Sequence, residues 1–293
     1  MTYIVTTEDL LSQVVPPNLP VPTKEYNSFY FEQFNNVLRL YFNQLNKIVS
    51  QLETQTGAIG SILQFPNGAF FQDGNTTLTT GISNVSTTPI DVGDTSGFAL
   101  TSGAIIIGSE IIKYTGKTAT SFTGITRGAY GSTASSHSSG ADVTEAQSLA
   151  SSSVATALTV LETTTSNGVA LDATDKTKIV FDTDGIYNIQ FSVQMLTYDN
   201  TIDNVTLWWR LNGSDIPYSA GIATVPAIHG GNPGTAIISW NLVQECNAGD
   251  YIQLLFASNT GNTVCATYPA GVSPTHPVSP SVIITATFVS ALY

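Results

Sequence analysis

Residues 178–289 of this 293-residue chain read as a succession of strand-length runs cut by turn signals, and that pattern limits the fold more than any other feature of the sequence. The runs are KIVFD, GIYNIQFSVQML, VTLWWRLNG, TAIISWNLVQECNAGD, YIQLLFAS and SVIITATFV. Asp184-Gly185, Asn212-Gly213 and Ala248-Gly249-Asp250 separate them, and residues of these types favour tight turns. Six or more strands with such short connections predict a sandwich or jelly roll. Successive side chains on a strand point to opposite faces. Of the adjacent Trp208 and Trp209, one therefore belongs to the core and the other faces an interface or solvent.

One segment departs from this β pattern. Across FNNVLRLYFNQLNKIVSQL, residues 34–52, and the preceding Phe31, the apolar residues Phe31, Phe34, Leu38, Tyr41, Leu45, Ile48 and Leu52 alternate steps of three and four, a heptad seam that needs a partner helix. The spacing predicts a helix from about Lys24 to Glu53, with Thr56-Gly57 as its stop. Tyr30, Val37 and Phe42 widen the stripe beyond a two-stranded seam, which fits a trimeric coiled coil. The helix is preceded by VVPPNLPVP, whose prolines forbid helix and favour polyproline II. Val14, Val15, Pro16, Pro17, Leu19, Pro20 and Val21 are expected to dock this leader onto a partner surface.

Composition narrows the function. Only 10% of residues are charged, against roughly a quarter in ordinary soluble domains, and the net charge is −12. Nine Lys and Arg in the whole chain argue against a nucleic-acid or anionic-membrane partner. No run reaches the apolar length of a membrane span, and MTYIVTTEDLLSQVV lacks the basic start and long apolar core of a signal peptide. Synthesis in a reducing cytoplasm is expected, with Cys246 and Cys265 as free thiols. His137, His229 and His276 are scattered and form no metal motif.

Between helix and C-terminal strands, a Gly- and Asn-punctuated stretch over 57–78 reads as a neck and 79–146 as a small β module. Ile105 and Ile107, then Ile111 and Lys113, flank Gly108-Ser109 and predict a hairpin. TRGAYGSTASSHSSGADV holds His137 among serines, but it has no GxSxG elbow and no positioned acid nearby, so it reads as a solvated loop. Arg127 reads as half of a structural ion pair. The expected organisation is a leader over 1–24, a coiled-coil helix over 25–56, the neck, the module, and a C-terminal domain over 147–293.

That last domain resembles the trimeric jelly rolls of the complement globular-head and tumour-necrosis-factor superfamily. The likeness rests on FDTDGIYNIQFSVQM, LWWRLNGSDIP, NAGDYIQLLF and the closing SPSVIITATFV, and spans residues 165–293. The middle piece, TTPIDVGDTSGF to SSHSSGADV, is similar to a module of tailed-phage structural proteins, particularly marine ones. LPVPTKEYNSFYFEQFNNVLRLYFNQLNKI looks like a segment found ahead of different C-terminal modules in such proteins. The resemblance implies a mainly β, elongated homotrimer in a virion, a fibre or capsid decoration without cofactor or enzymatic activity. Its partners would be itself and other virion proteins of capsid, portal-tail junction or baseplate.

Candidates for a trimer face are Tyr187, Phe191, Trp240, Tyr251, Leu255 and Phe288, all of which ordinary sandwich core would also claim. The alternative function is a receptor- or glycan-binding tip, with Tyr198, Asp199, Asp203, Tyr218 and His229 as contacts in loops such as YDNTIDN and AIHGGNPG. Trp208, Trp209 and Tyr268 could add stacking platforms, and Asp199 with Asp203 could hold a calcium ion. An enzyme such as a tail depolymerase is the weakest reading, because the sequence lacks a solenoid repeat.

Overall fold

The computed structural model describes residues 19, 28–62, 65–99, 101–149 and 151–292, in two compact units, 1–65 and 66–293. The first unit is built on one helix, α1, Ser28–Ile62. It runs past the expected stop at Thr56-Gly57, because a glycine inside a helix costs only about 1 kcal/mol relative to alanine and does not end an otherwise continuous ladder. Of the seam, Phe34, Leu38, Tyr41 and Leu45 are half-buried and Phe31 is exposed, while the side chains of Ile48 and Leu52 lie outside the described residues. Tyr30 stacks on Phe34 with centroids 6.2 Å apart. Phe29, Phe31, Leu40 and Phe42 present large apolar surface to solvent. Of the expected docking leader, Leu19 is exposed, and Val14, Val15, Pro16, Pro17, Pro20 and Val21 lie outside the described residues.

The second unit is mainly antiparallel β, as the turn-punctuated runs predict. Eight strands make a sandwich: β1, Asn67–Gln72; β2, Ile179–Phe181; β3, Gly185–Thr197; β4, Asp203–Leu211; β5, Gly221–Val225; β6, Gly234–Cys246; β7, Tyr251–Ser258; and β8, Val282–Ser290. One sheet carries the order β1-β8-β3-β6 and the other β2-β7-β4-β5. The first strand thus lies beside the eighth, the second beside the seventh, the third beside the sixth and the fourth beside the fifth. Strict alternation turns Tyr187, Ile189, Phe191, Val193 and Met195 of β3 and Val205, Leu207 and Trp209 of β4 into the shared core. Trp209 is fully buried and Trp208 only partly, its Nε1 donating to Asp215 Oδ1 at 2.9 Å. Asn212 and Gly213 both take positive φ, 49° and 82°, the backbone a two-residue hairpin turn demands.

The middle segment also forms its expected hairpin. Gly103–Ile107 pairs with Glu110–Tyr114 around Gly108-Ser109, with Gly108 at φ 60°. Its core gathers Ile105, Ile107, Ile112 and Tyr114 with Phe98, Phe122 and Val143. Two expected boundaries shift. The division between 146 and 147 falls inside strand Asp142–Ser148, which bonds on one side to the hairpin and on the other to Val264–Ala266, itself paired with β3. A joint apolar cluster of Ile106, Ile111, Ala146, Leu196, Tyr198 and Val264 seals this junction. The expected neck over 57–78 contains the end of α1 and all of β1, whose Phe70 is fully buried in the sandwich.

The two thiols are far apart. Cys246 stands opposite Gly185 and Cys265 opposite Met195, ten residues along one strand, or about 33 Å, whereas a disulfide needs Cα atoms roughly 6 Å apart. Burial, with Asp250 and Glu245 nearby, pushes the Cys246 thiol up to about 12. Burial also raises that of Cys265, whose Sγ donates to Ser281 O at 3.0 Å. The native protein is therefore expected to resist thiol-reactive dyes at pH 8 and to label at both positions in denaturant; rapid labelling of the folded chain would contradict this burial.

Candidate interaction surface

The six aromatic and aliphatic residues expected to mark a trimer face are largely spent inside one chain. Tyr187, Phe191 and Leu255 are buried. Trp240 and Phe288 are half-buried against them, with Phe191–Trp240 and Tyr187–Phe288 centroids at 4.4 and 5.6 Å. Tyr251 is half-buried beneath Lys178, whose Nζ sits 4.6 Å from the ring centroid. Tyr251 and Leu255 share the outward parity of β7, whereas Tyr187, Phe191, Trp240 and Phe288 have the inward parity of their strands.

The opposite parity carries the surface that sequence reasoning missed. On the outer face of β6-β3-β8, Ile237 is 73%, Val243 58%, Val289 56% and Ile283 40% exposed. Between them stand Gln190, Ser192, Ser239, Asn241, Thr285 and Thr287, and Asn241 Nδ2 donates to Asn188 Oδ1 at 3.1 Å across the strands. Glu245, at one end, carries the only charge among the described residues of this face. The signal was available in TAIISWNLVQE, where every second residue from Thr235 is uncharged until Glu245. Large aromatics drew attention to the other half of the alternation.

The five expected receptor contacts do not form one site. Tyr198 is buried, and so is Asp203, whose Oδ2 accepts hydrogen bonds from Thr197 and Thr263 while Oδ1 has no partner. Asp199 accepts from Asn262 Nδ2 at 3.0 Å, which together with the loop's backbone amides holds its carboxyl below the usual range. Its carbonyl receives Ile228 N–H at 2.9 Å, which brings the exposed His229 turn to the same end of the sandwich. Tyr218 lies before the opposite end of β5, fully exposed, with φ 64°. No three His, Cys, Asp or Glu side chains gather among the described residues, and none of their helices is long and apolar enough to cross a membrane.

His137 does have a positioned acid, contrary to the sequence expectation. The hairpin and the serine-rich loop bring together Glu110, Arg127 and His137. Arg127 grips Glu110 through both oxygens at 2.7 and 2.8 Å, and His137 Nε2 lies 2.8 Å from Glu110 Oε2. Burial works to raise the Glu110 carboxyl, but Arg127, His137 and the N–H groups of Ser135 and Gly128 outweigh it and hold the group near about 2. Ser135 Oγ approaches the same His137 nitrogen, at 3.3 Å. A serine–histidine–acid relay needs serine and acid on opposite ring nitrogens, so this cluster is built to tie loops. Arg127 accordingly also reaches the carbonyls of Ser83, Ser86 and Ser135.

Compared with known proteins, the chain matches no family model and no curated protein sequence.

Proposed function

We propose that the chain is a non-enzymatic structural protein of a tailed-phage virion: a homotrimeric fibre or decoration appendage, anchored by its N-terminal segment to capsid or tail and displaying a jelly roll. The carrying observation is the outer face of β6-β3-β8, where exposed Ile237, Val243, Val289 and Ile283 lie among uncharged polar residues. A surface so poor in charge suits burial against another copy. Its thirteen-residue β6 at about 3.3 Å per residue, with three strands about 4.8 Å apart, gives roughly 600 Å² per copy, near the standard interface of about 800 Å² a side.

Two further features support the reading. Strand pairing that joins first to eighth and fourth to fifth is how a long antiparallel ribbon rolls into a jelly roll, the fold implied by the family resemblance. The helix exposes Phe31 of the heptad seam and Phe42 beside it, surface that a parallel bundle would cover. Native mass measurement is expected to give three chains per particle, and a chain lacking residues 1–56 is expected to stay off virions. A monomer in solution, or normal incorporation of the truncated chain, would overturn the respective half of the proposal.

A second reading, a receptor- or glycan-binding tip, draws on Tyr218. A bulky residue held at φ 64° and fully exposed is strained and displayed at once. Glycan-array binding that disappears with Tyr218→Ala would favour it.

A further inference from the structure

Loop 95–99 is gripped from three sides by polar side chains of three different elements. Lys117 Nζ donates to Thr95 O at 2.9 Å and also to Phe98 O. Gln72, the last residue of β1, donates through Nε2 to Gly97 O at 2.7 Å and to Glu145 Oε2. Glu145, on strand Asp142–Ser148, accepts the Ala99 N–H at 2.9 Å through Oε1. Both Gln72 and Glu145 are fully buried.

The pocket around Glu145 is tightly packed and short of donors. A Cβ at position 74 would lie 2.7 Å from Gly97 O and 2.9 Å from Glu145 Oε2, so only glycine fits and the backbone closes directly over the carboxyl. Gln72 Oε1 is buried without a hydrogen-bond partner, which marks an excess of acceptors. An ionised Glu145 deepens that excess, and a proton on it relieves it.

We propose that Glu145 and Gln72 form a proton-operated latch: with a proton on Glu145 the 95–99 loop is locked to β1 and to Asp142–Ser148, and loss of that proton to water releases it. The strand that carries Glu145 is the one shared by the hairpin and the sandwich sheet, so the latch sits on their junction. The groups facing it act in both directions. Burial is the largest influence and lifts the Glu145 carboxyl to about 7; the Ala99 N–H, Gln72 and Lys117 favour the charged form but are outweighed, and Asp73, just beyond β1, adds to the effect of burial. Tyr114 from the hairpin and Cys265 from Val264–Ala266 also face the carboxyl, and burial raises both, so they remain neutral across the relevant range. Asp94 acts indirectly, by favouring the charged form of Lys117.

Because the folded carboxyl titrates above its ordinary value of 4.5, its stabilising effect is complete below about pH 4.5 and is lost as pH rises through about 7. In denaturant titrations of the full chain, the unfolding equilibrium of the wild type is expected to shift about a hundredfold toward unfolding between pH 5 and pH 8. Glu145→Gln is expected to remove most of that shift. Amide exchange protection at 95–99 should fall over the same interval in the wild type alone. Should the variant fail to fold, carboxyl-carbon NMR of glutamate-labelled wild type reads the proton directly, with one carboxyl expected to titrate near pH 7. Parallel pH profiles for wild type and variant, or all glutamates titrating below pH 5, would overturn the latch.

Discussion

Ile237→Glu combined with Val243→Glu is expected to convert the proposed trimer to monomers, with at least a hundredfold loss in association read by light scattering. Both side chains point outward from β6, 73% and 58% exposed, so the fold should survive and far-ultraviolet circular dichroism should not change. Two carboxylates per copy would have to be desolvated without cationic partners, which costs several kcal/mol each. Ile222→Glu supplies the control: it is 75% exposed but stands on β5, in the other sheet, and should leave the mass unchanged. A doubly substituted protein that still assembles would show that copies meet through some other surface.

Arg127→Met is expected to destabilise the hairpin region by about 3–5 kcal/mol, the usual cost of leaving one partner of a buried ion pair alone. The side chains of Arg127 and Glu110 are 7% and 0% exposed, so water cannot take over the lost contacts. Pairing the change with Glu110→Gln should recover much of the loss, because no charge is then stranded. The pH dependence has the opposite sign to that of Glu145. Glu110 is held below its ordinary 4.5, near about 2, so its contribution is full above about pH 4.5 and disappears as pH falls toward 2. Urea unfolding at pH 7 and pH 3 should separate wild type from Arg127→Met at the first pH far more than at the second.

What could be read from the sequence was what neighbours in the chain decide. Asn212-Gly213 and Gly108-Ser109 adopt their turns because two residues suffice to set that geometry. Trp208 and Trp209 divide between surface and core because alternation is a local rule. Contacts between distant residues escaped. His137 gains Glu110 from twenty-seven positions away, and Gln72 meets Glu145 across seventy-three. Nothing near His137 hints at the carboxylate, since the hairpin turn and Arg127 create the approach. β1 reads as neck because a six-residue strand among glycines has no local mark of the sheet it will enter. The outer face was hidden differently: its residues were in plain view, but size made the inward aromatics look like the interface.

The placement of β1 beside β8 has a kinetic consequence. Ser281 Oγ donates to Gln72 O across 209 residues of chain, and Gln72 pairs with Val282. Contacts of such separation form late and slowly, and this one cannot form until Ser281 and Val282 have left the ribosome. Until then β1 has an uncovered edge open to other nascent chains. A product cut short before Val282 is therefore expected to aggregate, making synthesis through β8 a condition for solubility.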